Sequence, residues 1–211
     1  MTDAAFWDKI APKYAQQPIK DPTAYEATLQ RTKNYLHSAD HVLELGCGTG
    51  STALLLAPLV ARYTATDISS KMIEIGREKA READAENLEF SAVDWAHPKL
   101  LDHDYDVVLA LNLLHLLPEL PVVLRRIHTM MPKGGYFISK TTVQPERGAP
   151  LSYWAIRTVL PVLKLLGKVP FVAFHKSSTL EDMIKAAGFE IVETMDAPVR
   201  PPNHYVVARK I

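Results

Sequence analysis

A glycine-rich turn is the segment of the chain best suited to hold a ligand. The apolar run His41–Leu45 leads directly into Gly46-Cys-Gly-Thr-Gly50, and a helical pattern follows. Glycines let a backbone turn tightly and approach a ligand closely, and the free amides at a helix start favour negative charge. Asp67 ends the next apolar run, about 20 residues further on, where a carboxylate can accept both hydroxyl protons of a ribose. This spacing predicts a nucleoside site, with a helix cap as the alternative role for Asp67.

The order of the glycines bears on which nucleotide is bound. Dinucleotide fingerprints place their third glycine where this chain has Ser51. The pattern Gly46-x-Gly48-x-Gly50 therefore disfavours a nicotinamide or flavin dinucleotide.

Short apolar runs alternate with helical patterns from residue 40 onward, as a parallel sheet flanked by helices requires. Seven strands are predicted, at His41–Leu45, Arg62–Asp67, Leu88–Ala92, Tyr105–Leu111, Gly135–Thr141, Phe189–Met195 and Tyr205–Ala208. Helices are predicted at Phe6–Ala15, Pro22–Leu36, Ser51–Leu59, Ser70–Ala83, Glu119–Met131 and Thr179–Ala187. The sequence therefore predicts an α/β fold preceded by two helices.

Local signals mark several ends of these elements. Asp21 is placed to cap the second helix, whose first residue is a proline. Ser178-Thr-Leu-Glu181 has the capping-box pattern for the last helix, and Gly188 suits its left-handed C-terminal cap. The proline-rich joints Pro145–Pro150 and Pro198–Pro202 are predicted loops, because proline lacks an amide donor.

The composition limits what the protein contacts. The 211 residues include 24 basic and 24 acidic side chains, so no overall positive field gathers nucleic acid, and no nucleic-acid partner is expected. The single cysteine, Cys47, excludes an intramolecular disulfide, and the first residues lack a signal-peptide pattern. No run offers the roughly 20 apolar residues of a membrane-spanning helix. A cytoplasmic location is therefore expected, and the oligomeric state is left open.

Six segments together resemble the class I methyltransferases that use S-adenosylmethionine (SAM). They are Val42–Gly50, Ala65–Ser69, Ala92–Trp95, Tyr105–Asn112, Leu114–Leu117 and Met131–Phe137, in the family's order and spacing. The resemblance implies a Rossmann-like, doubly wound seven-stranded sheet of order 3-2-1-4-5-7-6 with strand 7 antiparallel. It also implies one domain over residues 1–211: an N-terminal helical cap (1–39), a cofactor-binding core (40–142), a substrate-side insert (143–178) and a C-terminal part (179–211).

The resemblance also assigns cofactor contacts by position. Residues around the glycine-rich turn would surround the methionine part of SAM: Glu44, Gly46, Cys47, Gly48 and Gly50. Asp67 would accept from the ribose hydroxyls and Asp94 from the adenine amine. The remaining adenine contacts would be Ile68, Met72 and Trp95, and Asn112 would form a wall at the methyl end. The alternative is that Asp94 is a solvated loop carboxylate and that Ile68, Met72 and Trp95 are ordinary core residues.

Two residues are candidates for a catalytic role. Tyr14 ends Phe6–Tyr14, which resembles a segment that folds over the cofactor in small-molecule and quinone-pathway methyltransferases, with its tyrosine near the reaction centre. The alternative is an amphipathic helix packing through Phe6, Ile10 and Tyr14. His115 follows the fourth strand and is the candidate base, with an ordinary pKa of about 6.5. The alternative for His115 is a structural histidine at a helix start, and Cys47 is interpreted as packing rather than as a nucleophile.

The insert is expected to choose the substrate. The apolar run Leu151–Phe174 carries basic residues, and no acidic residue occurs from Arg147 through Leu180. Such a surface could line a pocket for an apolar acid, or residues 151–176 could make peripheral contact with anionic lipid. The alternative is a lid over the sheet or an interface with a second subunit.

The sequence thus favours a SAM-dependent methyltransferase that acts by in-line displacement on a small, apolar or lipid-like acceptor, with S-adenosylhomocysteine (SAH) as product. Such transfer depends chiefly on alignment of the reacting groups. No metal site is predicted, because the histidines are scattered without ligand spacing. The alternative from another class is a catalytically silent SAM- or SAH-binding regulator or sensor.

Overall fold

Helices and strands alternate through most of the protein. The computed structural model describes residues 3–145, 158–160, 163, 169–173, 175–199 and 202–211. Its helices are α1 (Asp3–Ala15), α2 (Pro22–Lys33), α3 (Ser51–Leu56), α4 (Ser70–Glu82), α5 (Leu120–Thr129) and α6 (Ser177–Ala186). Its strands are β1 (His41–Leu45), β2 (Arg62–Asp67), β3 (Leu88–Ala92), β4 (Val107–Leu111), β5 (Tyr136–Thr142), β6 (Phe189–Val199) and β7 (Pro202–Lys210). Short 3-10 turns cover Ala57–Leu59, Pro98–Leu101 and Leu114–Leu116.

One sheet contains all the described strands, in the order β3-β2-β1-β4-β5-β7-β6. The first five strands pair in parallel, whereas β7 runs antiparallel to both β5 and β6. The predicted fold class, strand order and antiparallel seventh strand are thus confirmed. Because the carboxyl ends of the first five strands meet at one edge, their loops share one crevice, and open α/β sheets bind ligands there.

Two apolar layers cover the two faces of the sheet. Side chains alternate between faces along a strand, so Leu43 and Leu45 of β1 join one layer while Val42 joins the other. The first layer includes residues of α5 and α6, and the second includes residues of α2, α3 and α4. Packing on both faces holds the strands in place and so positions the loops at their ends.

Several element ends follow the local signals. Asp21 caps α2 as predicted, since its carboxylate accepts from Ala24 N at 2.9 Å. Gly188 has a φ of +97° just after α6, the left-handed conformation predicted for it. The helix predicted over Ser51–Leu59 is α-helical only to Leu56 and continues as a 3-10 turn. Pro58 lies in that turn and has no amide proton to donate to an α-helical bond.

The predicted capping box at Ser178–Glu181 is wrong. α6 begins earlier, at Ser177, and its N-cap residue Lys176 makes no side-chain cap bond. The Glu181 carboxylate instead lies 3.0 Å from His204 Nε2 of β7 and 3.7 Å from Lys185 Nζ. A contact with a strand distant in sequence occupies the carboxylate that the cap required.

The loop predicted at Pro198–Pro202 is largely replaced by strand. β6 extends to Val199 and β7 begins at Pro202. β6 is an edge strand, and its pairing with β7 shifts between Asp196 and Val199. Proline is tolerated at sheet edges and bulges, because no inner ladder bond is lost there. The other joint, Pro145–Pro150, lies outside the described residues except for its first residue.

Most of the substrate-side insert lies outside the described residues, including Trp154, Arg157, Lys164 and Lys168. Two described residues of the insert, Ala173 and His175, form backbone hydrogen bonds with segments at the carboxyl ends of the strands. Ala173 N donates to His115 O and Gln144 N donates to His175 O, each at 2.7 Å. Within the described ranges, no helix has the length and apolar character needed to cross a bilayer.

Candidate active site

The glycine-rich turn connects β1 to α3. Gly46, Gly48 and Gly50 all have positive φ, of 68°, 55° and 73°, a conformation that other residues rarely adopt. At Gly50 a Cβ atom would lie 2.4 Å from the ring of Phe90, so no larger residue fits there. At Gly48 the nearest atom to such a Cβ would be Tyr14 Cε1, at 3.7 Å. Gly48 therefore presents bare backbone to the crevice, with Tyr14 above it.

Asp67 ends β2 beside this turn. Its carboxylate accepts from Gly48 N at 3.0 Å and from Ser69 N at 2.8 Å. Burial raises the pKa of Asp67, and the two backbone donors oppose that shift. The helix-cap alternative for Asp67 is wrong, because Ser69 caps α4 and its hydroxyl accepts from Met72 N at 3.1 Å. The Asp67 carboxylate thus lies where the ends of β1 and β2 meet.

The two residues expected on the adenine faces differ in exposure. Ile68 is 37% exposed, just past the end of β2. Met72 is 2% exposed, within the first turn of α4. Its burial agrees with the alternative that Met72 is a core residue.

Glu44 is a buried carboxylate within β1. It is 3% exposed and accepts from Tyr63 Oη at 2.8 Å. Burial raises the pKa of Glu44 to about 7, and the Tyr63 bond only partly opposes this shift. A positively charged group nearby would favour the ionised form. Glu44 is therefore suited to an ammonium ligand.

Cys47 is part of the turn but not of its accessible surface. Its thiol is buried, and burial raises the pKa of that thiol well above its ordinary value. A thiolate is the reactive form of cysteine. The interpretation of Cys47 as a packing residue agrees with its burial.

Helix α1 lies across the start of α4. Asp8 Oδ1 accepts from Ser69 Oγ at 2.7 Å and from Lys71 N at 3.0 Å. The backbone bond from Lys71 and the Ser69 hydroxyl together lower the pKa of Asp8. Amides in the first turn of a helix have no partner within the helix, so a carboxylate is favourable there. This contact holds α1 over the crevice.

Tyr14, near the end of α1, lies on the crevice side. Its side chain is 46% exposed. Desolvation raises the pKa of Tyr14, as do the charges of Asp67 and Glu44. The alternative of packing through Phe6, Ile10 and Tyr14 holds for the first two, which are half-buried, but not for Tyr14.

Asp94 and Trp95 follow β3, the strand next to β2. Asp94 is exposed, and its Oδ1 accepts from Ala96 N at 3.0 Å. Trp95 is half-buried against the apolar layer that contains α5 residues, and its carbonyl accepts from Arg126 Nε at 3.1 Å. The strand pairing thus brings Asp94 to the same edge as Asp67.

Asn112 follows β4 in a left-handed conformation, with a φ of +58°. Its amide donates to Lys140 O at 2.6 Å, and its side chain is exposed. Asn112 lines a cleft together with Tyr25, Thr52 and Lys140. This cleft lies between the end of the sheet and α2.

His115 is fixed by Thr141 of β5. The Thr141 hydroxyl accepts from His115 N at 3.0 Å and lies 2.9 Å from His115 Nδ1. If the hydroxyl donates to Nδ1 while its oxygen accepts from the amide, the ring proton is on Nε2. Burial lowers the pKa of His115 to about 4, so the expected ordinary value is wrong. A neutral imidazole of this kind is a weak base at neutral pH.

Four residues of the site were not found by sequence reasoning: Asp8, Tyr63, Lys79 and Thr141. Lys79 of α4 donates to Thr49 O at 3.3 Å and to Thr49 Oγ1 at 3.0 Å, and so holds the glycine-rich turn from outside. The pairing of β1 with β2 was a usable signal for Tyr63, which lies near Glu44 across the two strands. In the described part of the chain, no group of three or more His, Cys, Asp or Glu residues could hold a metal ion.

Comparison with protein families places this crevice in a known context. A family model described as a methyltransferase domain matches residues 36–187, from just after α2 through α6. The demethylmenaquinone methyltransferase of Alkalihalophilus pseudofirmus is 27% identical over 181 residues, which cover 79% of this chain and 76% of that protein. Some curated relatives are far longer. The chain covers only 3% of the hybrid PKS-NRPS synthetase apdA of Emericella nidulans, at 30% identity over 129 residues.

Solved structures share the whole architecture. The cyclase SpnF gives a TM-score of 0.77 at 19% identity and covers 98% of this chain, with 95% of its own chain matched. Magnesium protoporphyrin IX methyltransferase from Synechocystis PCC 6803, solved with bound SAH, gives a TM-score of 0.73 at 20% identity. The match covers 99% of this chain and 98% of that one. At these identities the likeness establishes the fold.

Proposed function

Because the chain belongs to the class I methyltransferases that use SAM, we propose that it transfers a methyl group by in-line displacement to a small, apolar acceptor. One contact carries the acceptor proposal. Ala173 N donates to His115 O at 2.7 Å and brings the apolar segment 169–173, Val-Pro-Phe-Val-Ala, beside the end of the fourth strand. An apolar acceptor would gain by leaving water at this wall.

The residues at the first three strand ends fit the nucleoside and amino-acid parts of SAM. When bound, SAM supplies an electrophilic methyl group on a positively charged sulfur. Asp67 would accept from the ribose hydroxyls, with Gly48 leaving room for close approach. Asp94 would accept from the adenine amine, and Ile68 would cover one face of the base. Glu44, whose pKa burial raises to about 7, would be stabilised in its ionised form by the ammonium group.

The residues at the methyl end would mainly align the acceptor. Fixing two reactants in near-attack geometry can lower a barrier by on the order of 7 kcal/mol or more. His115, with a pKa lowered to about 4, would act as a neutral hydrogen-bonding side chain on the acceptor rather than as a strong base. Tyr14 would close the crevice from the side of α1 and exclude water. The named substrate of the A. pseudofirmus relative, demethylmenaquinone, supports an apolar acceptor.

Calorimetry and a methyl-transfer assay test this function. We expect the parent to bind SAM and SAH, and Asp67→Ala and Asp94→Ala to weaken both while remaining folded. With SAM present, a prenylated naphthohydroquinone should gain one methyl group faster than the same naphthohydroquinone without its prenyl group. Folded Asp67→Ala and Asp94→Ala proteins that bind SAM as tightly as the parent would contradict the cofactor assignment. SAH binding without methylation of either acceptor, or of any compound in a metabolite extract, would favour the silent sensor.

A further inference from the structure

The cleft at the ends of β4 and β5 contains a lysine without a role in the proposed reaction. Lys140 of β5 is half-buried, and its Nζ lies 3.5 Å from Thr28 Oγ1 of α2. Tyr25, Thr52 and Asn112 line the same cleft. Thr52 is in the first turn of α3, directly after the glycine-rich turn, so the cleft adjoins the proposed cofactor site.

The ammonium group of Lys140 has no anionic partner among the residues the structure describes. No described carboxylate lies within 4.0 Å of Nζ. Burial lowers the pKa of Lys140, and the more distant Asp21 opposes this shift only in part. A buried charge is unfavourable unless it is paired, so an anionic ligand in the cleft would be stabilised.

The donors around Lys140 suit a planar anion. Tyr25 Oη lies 3.1 Å from Thr52 Oγ1, and of two hydroxyls that share one bond, one retains a free proton. Asn112 adds an exposed side-chain amide at the same end of the sheet. Hydrogen bonds from charged or neutral donors to a carboxylate are shorter and stronger than neutral pairs.

The charges of the proposed cofactor site leave one group of SAM without a cationic partner. The predicted contacts include three carboxylates, Glu44, Asp67 and Asp94, and no lysine or arginine. The amino-acid part of SAM carries a carboxylate as well as an ammonium group. Lys140 is the cationic residue that lines the adjoining cleft in the described structure.

We propose that Lys140, with the hydroxyls of Tyr25 and Thr52, forms a binding site for a carboxylate at the methyl end of the crevice. This inference rests on the proposed function. The carboxylate has two sources, the amino-acid part of SAM or an acidic acceptor. The position of Thr52 beside the glycine-rich turn favours the first.

The decisive measurement is calorimetric binding of SAM and decarboxylated SAM, two sulfonium ligands that differ in the carboxylate. In the parent, loss of the carboxylate should weaken binding on the order of 10-fold or more, as for a charged hydrogen bond. Lys140→Met should bind SAM more weakly than the parent by the same factor, and it should bind decarboxylated SAM as tightly as the parent. Lys140→Arg should retain most of the affinity for SAM. Lys133→Met, at the exposed turn before β5, is the matched control and should behave as the parent.

A second arm covers the acidic acceptor. Octanoate and octanamide are titrated into the SAH complex of each protein. If the acceptor supplies the carboxylate, Lys140→Met should bind SAM normally and lose its preference for octanoate over octanamide.

The remaining outcomes overturn the carboxylate site. One is that Lys140→Met binds SAM as tightly as the parent does and that its SAH complex also binds octanoate as tightly as that of the parent. Another is a loss that is the same for SAM, decarboxylated SAM and methylthioadenosine, because that pattern indicates a structural defect. If the parent binds none of the three nucleosides, the proposed function fails instead.

Discussion

Glu44 and His115 show how burial tunes individual residues of the site in opposite directions. Burial penalises a charged group, so it raises the pKa of the acid to about 7 and lowers the pKa of the base to about 4. The two shifts cover overlapping pH ranges and affect the free energy of unfolding with opposite sign. In the parent, the two pH dependences of the free energy of unfolding partly cancel. A substitution at either residue should therefore reveal the pH dependence that the other contributes.

Replacing Glu44 by glutamine should remove a loss of stability at higher pH. The pKa of the carboxyl has its ordinary value of 4.5 in the unfolded chain and is raised to about 7 in the folded protein. The folded state holds the extra proton between these values, so stability falls as pH rises through that window. As the pH rises through this window, the free energy of unfolding of Glu44→Gln should increase relative to that of the parent by on the order of 3 kcal/mol. Urea unfolding of the cofactor-free protein measures this, with the exposed Glu89→Gln as control. A pH-independent difference would refute it.

Replacing His115 by glutamine should have the reverse effect in acid. The pKa of the imidazole has its ordinary value of 6.5 in the unfolded chain and is lowered to about 4 in the folded protein. The unfolded chain binds the extra proton between these values, so the parent loses stability as pH falls through them. The free energy of unfolding of His115→Gln should not show this fall, which in the parent is on the order of 3 kcal/mol. The exposed His37→Gln serves as control in the same unfolding series.

The same shift predicts the pH profile of the reaction. A histidine that is neutral above about pH 4 should produce no inflection in kcat/KM near 6.5. An inflection there that disappears in His115→Gln would show that His115 acts as the base first expected.

Hydrogen bonds to the start of α4 help to position helix α1. Asp8 accepts from Ser69 Oγ and Lys71 N at the start of α4, and the same helix carries Tyr14 above Gly48. The start of α4 also follows the strand that ends at Asp67. Docking of α1 and closure of the crevice are therefore coupled through a few hydrogen bonds.

Removal of the Asp8 carboxylate should weaken cofactor binding without unfolding the protein. A capping side chain and a charge at a helix start each contribute about 1 kcal/mol or less. We expect Asp8→Ala to raise the Kd for SAH several-fold and Asp8→Asn to have a smaller effect, because asparagine retains the acceptor. Calorimetry measures both, with Asp3→Ala at the start of the same helix as control. Unchanged SAH affinity in a folded Asp8→Ala protein would mean that α1 does not close the site.

Helix α2 links the beginning of the chain to its last strands. Arg31 forms an ion pair with Glu193 of β6, and Tyr35 Oη donates to the same carboxylate at 2.7 Å. Thr32 Oγ1 lies 3.1 Å from Tyr205 Oη of β7. The N-terminal cap predicted over residues 1–39 thus contains two helices with different roles, one at the crevice and one across the sheet.

The two helices should respond differently to truncation. A chain starting at Lys20 lacks α1 only and should unfold cooperatively in urea, with weaker SAH binding. A chain starting at His37 also lacks α2, which exposes the apolar layer around Leu29. Burial of a few such side chains contributes about 1.5–3 kcal/mol each, against a total stability of about 5–15 kcal/mol. Cooperative unfolding of the shorter chain would contradict the integral role of α2, and circular dichroism during the titration distinguishes the two results.

Much of the fold was readable from local patterns. Apolar runs separated by helical periods predict a parallel sheet flanked by helices. The strand order and the antiparallel seventh strand were implied by the resemblance to the class I methyltransferases, and both are confirmed. The glycine-rich turn and Asp67 were also visible, since both depend on strand ends and spacing. The capping box at Ser178–Glu181 failed because a local pattern does not show that Glu181 contacts His204 of a distant strand.

The remaining features depend on contacts between segments far apart in the chain. Asp8 reaches α4 across 61 residues, and Lys140 approaches Thr28 across 112. The pKa values of Glu44 and His115 depend on how completely water is excluded around them, which local sequence does not encode. Spacing along the chain defines which groups are present at the sheet edge. Packing of the helices against the sheet defines their distances and burial, and these set their charge and the ligands they can bind.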